Sequence, residues 1–409
     1  MMLGKRTKLL AAMSLVVFAF GVLVACRISE RTGGWVATDL PTPEPMQINM
    51  RIVAIEAARS GRTSRAIMED GSLWLWGGYS QHLGGLFRPI NIGERRDVLA
   101  VSDGFNHTAL IVSDGALLVS GDNRRGQLGN GRTTTPSNSA EIMNDVIAVT
   151  AAGDRTFAIT SDNALWAWGD NSEGILGDGT TEDRRSPVKI MEDVIAVSAG
   201  SRSTMVITSD NVLWGLGIGS VVLDNITSEN THSSSHIVVD VSIDKIYTPA
   251  RIMDDVIAVS VSGNNRVMVI TSDNILWSWN KGNEFRRIMD DATAVSVGLY
   301  HAAAIKSDGT LWTWGRNNVD QSGGMLGNGT FDGSREPIQI MEDVVTVAAG
   351  RDYTLAITSD GNLWAWGANT AGQLGIGTER GEYEQRPYRG ETPSVWLSPI
   401  LVLEYVPEG

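Results

Sequence analysis

Short apolar runs recur along this 409-residue chain in a fixed order, separated by turn residues. A run such as Val194 to Gly200, VIAVSAG, is followed by a second, Thr204 to Thr208, TMVIT, and then by a turn pair and a third of the kind Leu165 to Gly169, LWAWG. A fourth stretch, Ser186 to Asp193 (SPVKIMED) or Glu336 to Asp343 (EPIQIMED), completes the unit. Near-continuous, β-branched apolar runs of this length are what strands covered on both faces look like. The turn pair occurs seven times, at Asp70-Gly71, Asp114-Gly115, Asp162-Asn163, Asp210-Asn211, Asp273-Asn274, Asp308-Gly309 and Asp360-Gly361. Asp-Gly and Asp-Asn between apolar runs predict hairpins, with type I′ turns and positive φ at both central residues. Seven units of four short strands, at a period of roughly 50 residues, predict an all-β fold: a seven-bladed β-propeller of four-stranded antiparallel blades.

Eleven of the 13 tryptophans stand in the Leu-Trp-x-Trp position of the third strand. Aromatics two apart share one face of a strand, so these predict wedges between neighbouring blades. MQINM before the first unit and TPSVWLSPILVL after the last predict that one terminus completes the other's blade. The fourth unit carries an insertion at about residues 218–248. His232 and His236 lie within it, four apart, but the Ser-rich, β-branched context is not helical and does not predict a metal pair. No Asp-x-Asp-x-Asp-Gly loop occurs either, so neither a metal nor another cofactor is expected.

The N-terminus changes the picture. Lys5, Arg6 and Lys8 precede an apolar run from Leu9 to Ala25 that ends at Cys26, the only cysteine. A basic segment before a short apolar run reads as a secretory signal. Leu23-Val24-Ala25-Cys26 resembles the lipobox of bacterial lipoproteins, which implies a signal peptide over 1–26, acylation of Cys26 and an extracytoplasmic, membrane-anchored product at the cell surface or in the periplasm. Residues 27–45, with Gly33-Gly34, Pro41, Pro43 and Pro45, read as a flexible tether, leaving 46–409 for the propeller. A formal net charge of −14 argues against sequence-independent nucleic-acid binding, which needs clustered Lys and Arg in excess.

The fullest unit, AAGRDYTLAITSDGNLWAWGANTAGQLGIGT from Ala348 to Thr378, combines Ala-Gly-x-x-x-Thr, Ser-Asp-Gly, Leu-Trp-x-Trp-Gly-x-Asn and Gly-Gln-Leu-Gly-x-Gly. In this order the motifs resemble the regulator of chromosome condensation repeat family, seven-bladed propellers, over about residues 46–400. The Gly-Gln-Leu-Gly element survives at Gly126 to Gly129 and Gly372 to Gly375, is altered at Gly174 to Gly177 and Gly324 to Gly327, and is missing after Trp214 and Trp279. A distant likeness to the propeller-type β-lactamase-inhibitory proteins, secreted bacterial members of the family, implies contact with a protein through the loops of one face. Nuclear relatives imply a third role, guanine-nucleotide exchange, which a secretory signal argues against.

If the four strands alternate in direction, the A to B and C to D loops share one face and the Asp-Gly turns the other. The turn face then gathers the seven turn aspartates and the acidic pairs of the Ile-Met-Glu-Asp connections, where turn chemistry accounts for the aspartates. The loop face gathers Arg62, Phe105, Asn106, His107, Arg155, Arg202, Asn264, Arg266, Tyr300, His301, Arg351 and Tyr353. Arginine and aromatic side chains are the types enriched in binding hot spots, and loops on a rigid scaffold carry most binding residues. A neutral-to-basic loop rim is therefore the expected site for a protein partner, with a glycan or cell-wall polymer as the alternative ligand and a monomer as the expected state. No nucleophile elbow, His-Glu-x-x-His, phosphate loop or Cys-x-x-Cys occurs, so no enzyme is expected.

Overall fold

The computed structural model describes residues 44–58, 63–80, 84–91, 97–136, 139–217, 247–279, 285–319, 322–377 and 395–407. Cys26, Arg62, the signal and nearly all of the tether, and all but the last two residues of the insertion lie outside these. The described residues form seven sheets of consecutive strands A to D, a two-stranded ribbon of Asn318–Val319 and Ser322–Gly323 in the C to D loop of blade 6, and no helix. In blade 3 these are Val146–Ala152, Arg155–Thr160, Leu165–Gly169 and Arg184–Met191, each antiparallel to the next. The seven A strands are Ile52–Ala57, Val98–Asp103, Val146–Ala152, Val194–Ala199, Val256–Val261, Ala292–Val297 and Val344–Ala349. Each packs against the A strands of the blades before and after it, the last against the first, so they surround the axis and the ring is closed.

An A strand pairs on one edge only, and a side chain of the preceding blade takes up a donor that no strand reaches. The N–H groups of Ala151, Val261, Val297 and Ala349 donate to the hydroxyls of Ser102, Ser198, Ser260 and Ser296 at 2.9 to 3.1 Å. Asp103 N–H donates likewise to Glu56 at 2.8 Å. The serine in "VIAVS" is thus an inter-blade tie.

The second tryptophan of each full Leu-Trp-x-Trp run is the wedge. Trp168 of blade 3 lies in one buried cluster with Ile111, Leu117 and Leu128 of blade 2. The indole N–H groups of Trp76, Trp168 and Trp366 donate to the carbonyls of Gln373, Gln127 and Met325, each in the C to D loop of the preceding blade, at 2.9 to 3.0 Å. The glycine that ends the Gly-Gln-Leu-Gly run makes room: a Cβ on Gly129 would stand 2.7 Å from the Trp168 indole nitrogen, at a φ of 76°. Asn123 holds the loop's shape, accepting from Leu128 N–H and donating to the carbonyls of Arg132 and Thr134.

Two expectations are corrected. The hairpin turns are not type I′: Asn163 N–H donates to Thr160 C=O, Thr160 pairs with Ala164, and only Asn163 has positive φ, at 63°. This is a three-residue loop closed by a left-handed residue, which requires Gly or Asn at one position rather than two. Asp162 accepts from Ala164 N–H and from the Thr160 hydroxyl, so the turn aspartate is spent on the turn. Closure differs as well. Blade 7 owns four strands, Val344–Ala349, Tyr353–Thr358, Leu363–Ala368 and Val395–Tyr405, and Met46–Ile48 joins as a fifth, parallel to Leu403–Tyr405.

Candidate interaction surface on the loop face

His107, Arg155, Arg266, His301 and Tyr353 occupy one repeat position, seven residues before the turn aspartate. Each reaches the next blade. His107 Nε2 meets the Thr156 hydroxyl at 2.9 Å, and His301 Nε2 meets that of Thr354 at 2.7 Å. The Arg155 guanidinium donates to Ser201 C=O at 2.6 Å, and that of Arg266 to Tyr300 C=O at 3.5 Å. The Tyr353 hydroxyl donates to Thr63 C=O at 2.6 Å and accepts from Ser64, joining blade 7 to blade 1.

His107, Arg155, His301 and Tyr353 are buried. Their assignment to a partner-facing rim is corrected: these side chains offer no surface and instead lock blades together. In blades 2, 6 and 7 the glycine after strand A admits the ring, since a Cβ on Gly104 would fall 2.2 Å from His107 Cε1, one on Gly298 3.0 Å from His301 Cε1 and one on Gly350 2.5 Å from Tyr353 Cε1. Burial lowers the His107 pKa to about 4 against the opposing charge of Asp103, and burial followed by the charge of Arg266 lowers that of His301 to about 3. Both imidazoles are neutral at pH 7. Burial raises the Tyr353 phenol and lowers the Arg155 guanidinium, which Asp170, Asp154 and Glu173 partly restore.

The A to B loops are also bonded to one another. Phe105 N–H donates to Gly153 C=O at 2.8 Å, Ser201 donates to Gly263 C=O, the Asn264 amide donates to Leu299 C=O at 2.7 Å, and Leu299 N–H donates to Gly350 C=O at 3.2 Å. The result is a collar around the axis in which neighbouring loops hold each other. On it Phe105 is 53% exposed, Asn106, Arg202 and Asn264 are exposed, and Arg266, Tyr300 and Arg351 are half-buried.

The rim is not uniformly neutral-to-basic as expected. On blades 2 and 3, Asp122, Asp154, Asp170 and Asp183 interleave with arginines: Arg124 pairs with Asp122 at 2.9 Å, and Arg125 crosses between blades to Asp170 and, at 3.0 Å, to Asp183. Burial, and then the charges of Asp122 and Asp170, raise the Asp154 pKa. On blades 5 to 7 cations are in excess, Arg266, Arg316 and Arg351 standing with exposed Asp332 and buried Asp352. Arg266 is lowered by burial and by its neighbour Arg316, while exposed Arg316 and half-buried Arg351 have no ion pair among the described residues. Arg316 and the exposed Phe331 escaped the sequence reading because they sit in a diverged C to D loop. Among the described residues no group of three His, Cys, Asp or Glu could hold a metal, and no helix is long and apolar enough to cross a membrane.

Sequence profiles described as "Regulator of chromosome condensation (RCC1) repeat" match residues 146–175, 292–321 and 344–373, and, in a second version, 162–207, 308–357 and 360–398. The chain carries RCC1 repeats. Human E3 ubiquitin-protein ligase HERC2 is 27% identical over 138 residues, covering 29% of this chain and 3% of its own length. The chain therefore spans a small fraction of that relative. Among solved structures, human WBSCR16 superposes with a TM-score of 0.63 at 18% identity, covering 77% of this chain and 88% of its own. Prp20p from Saccharomyces cerevisiae gives 0.61 at 17%, covering 88% and 87%. At such identities these structures attest the fold alone. In the RCC1-repeat propeller described here, the histidine position therefore acts within the ring, and only the side chains beyond it are available for recognition.

Proposed function

We propose that this RCC1-repeat propeller is a non-enzymatic binding protein that holds a protein partner on its loop face, and that its N-terminal segment delivers it across a membrane and anchors it there through acylated Cys26. The observation that carries the reading is Phe105, a phenyl ring left more than half exposed on a loop whose backbone is bonded to the next blade. An exposed aromatic on a preorganised loop loses little conformational entropy on binding, and aromatic and arginine side chains dominate interface energetics. Arg202, Asn264, Arg316 and Arg351 stand on the same face. Interleaved charge on blades 2 and 3 beside a basic arc on blades 5 to 7 suits a partner of mixed but net acidic surface. The yeast Prp20p structure was described together with that protein's binding to Gsp1p and histones, which supports protein recognition by propellers of this build. Burial of Tyr353 removes one of the two tyrosines that a glycan reading needs.

The test is affinity capture from an envelope fraction with the full chain, with F105A/R202A/R351A, and with K189A/R287A on exposed outer strands as a control. A protein retained by the parent and the control but reduced at least about tenfold by the triple variant supports the reading; equal retention by all three overturns it. Separately, the parent chain is expected to incorporate labelled fatty acid in cells and C26S is not; labelling of C26S, or no labelling of the parent, would contradict the anchor.

A further inference from the structure

The opposite face holds a second surface. In every blade the ladder between strands A and B slips at the second residue of A, the bulge lying between residues 52/54, 98/100, 146/148, 194/196, 256/258, 292/294 and 344/346. The residues so displaced are Val53, Leu99, Ile147, Ile195, Ile257, Thr293 and Val345. Six of the seven are aliphatic. Because A strands surround the axis and enter from the turn face, these positions ring the mouth of the central channel on that face. Val53 is 51% exposed, Ile195 43%, Val345 38% and Ile257 37%. The residue before each is buried between blades; these four are exposed, while Leu99 and Ile147 are half-buried against the inter-blade clusters.

Turn chemistry explains an aspartate and packing explains a buried valine, but neither calls for an exposed aliphatic residue repeated around an axis. Around the ring the carboxylates fall into two groups. The hairpin aspartates are occupied by their own turns, as at Asp162, Asp210 and Asp308. In the D to A connections the first acid of each pair reaches outward to its own D strand: Lys189 to Glu192, Arg251 to Asp254 and Arg287 to Asp290. The second acid lies two residues before the displaced residue. Asp145, Asp193, Asp291 and Asp343 are exposed, take φ of 58 to 61°, and have no cationic partner among the described residues. In blade 1 the equivalent position is Arg51, whose guanidinium stacks on Tyr405 and leaves a gap in the negative rim.

The geometry points to a docking site at this channel mouth for a protein segment that carries one or two large apolar side chains flanked by Lys or Arg. The apolar side chains enter the ring of Val53, Ile195, Ile257 and Val345, and the flanking cations meet the axial aspartates. Charge complementarity names the occupant: an acidic apolar segment would be repelled by the exposed carboxylates of Asp145, Asp193, Asp291 and Asp343, and a neutral one would leave those four without a cation. The site is separate from the loop face and does not rest on it.

The test uses the full chain and a fluorescent eight-residue peptide with Leu-Phe at its centre, two Lys or Arg on each side and Gly at the ends. Two control peptides replace Leu-Phe by Gly-Ser, or the basic residues by Glu. The protein variants are I195S/I257S, which removes apolar surface, and D193N/D291N/D343N, which removes charge but keeps a residue that tolerates positive φ. All these positions are exposed, and an unchanged Tm checks folding. Saturable binding of the first peptide only, weakened at least about tenfold by each variant, with added salt weakening it further, is expected. Equal binding of the Gly-Ser peptide would show attraction to bulk negative charge and overturn the site. So would binding indifferent to I195S/I257S, or no saturable binding by the parent chain.

Discussion

Acidification will loosen this ring through two histidines. His107 and His301 are buried at inter-blade contacts, with pKa values of about 4 and about 3 where an unfolded histidine has 6.5. Between the unfolded and folded values the unfolded chain binds the protons and the folded chain refuses them, so stability is fully present above about pH 6.5 and falls on acidification. One pH unit is worth about 1.4 kcal/mol per group. Lowering the pH from about 6.5 to about 4.5 therefore costs up to about 3 kcal/mol for each histidine, and about 5 kcal/mol for both, set against a usual total of about 5–15 kcal/mol. Carboxylates add their own pH dependence, so the informative quantity is the difference in slope between the parent and H107Q/H301Q. Glutamine keeps a polar atom in reach of Thr156 and Thr354 but does not titrate. Urea unfolding across this range should give a parent chain that loses stability about 2 to 3 kcal/mol per pH unit faster than the double variant. Parallel slopes would refute the reasoning, as would imidazole NMR signals titrating near pH 6.5 in the folded parent.

Three further outcomes follow from the packing. G129A drives a Cβ onto the Trp168 indole at a positive φ and is expected to cost about 3 kcal/mol, with loss of the buried Trp168 emission, read by urea midpoint and fluorescence. N123A leaves Leu128 N–H without its acceptor and should cost about 2 kcal/mol, while N130A, at a half-buried position where Asn130 accepts from Asn123, leaves Leu128 N–H satisfied and should cost about half as much. I48D places a carboxylate in the core cluster that closes the ring and should lower stability by about 3 kcal/mol, detectable as a lower Tm and faster proteolysis of the last blade.

The blades were legible because the unit is written seven times, once per blade: runs such as VIAVS and LWAWG recur with a turn between them, and a register error in one copy would contradict the rest. Turn type was less so, since Asp-Asn suits two hairpin geometries and the bond from Asn163 N–H to Thr160 C=O decides between them. The loop face was read as a row of arginines, histidines and tyrosines, and about half of that row proved structural. Whether His107 is exposed depends on the neighbouring blade, which single-copy reasoning ignores. A signal was present: Gly104, Gly298 and Gly350 stand three residues before His107, His301 and Tyr353, and the next copies supply Thr156, Thr354 and Ser64 as hydroxyl partners. The aliphatic ring at the other channel mouth was invisible for a different reason. Val53 and Ile195 read as ordinary strand residues until the bulges turn them outward.

Protein binding through the loop face is tested most directly by placing a photocrosslinking amino acid at position 105, and at position 189 as an outer-strand control, in the full chain in its own cells. A discrete protein adduct from position 105, absent from position 189, is the predicted result. Adducts from position 189 alone, or none from position 105 while the protein is folded and membrane-localised, would contradict the account.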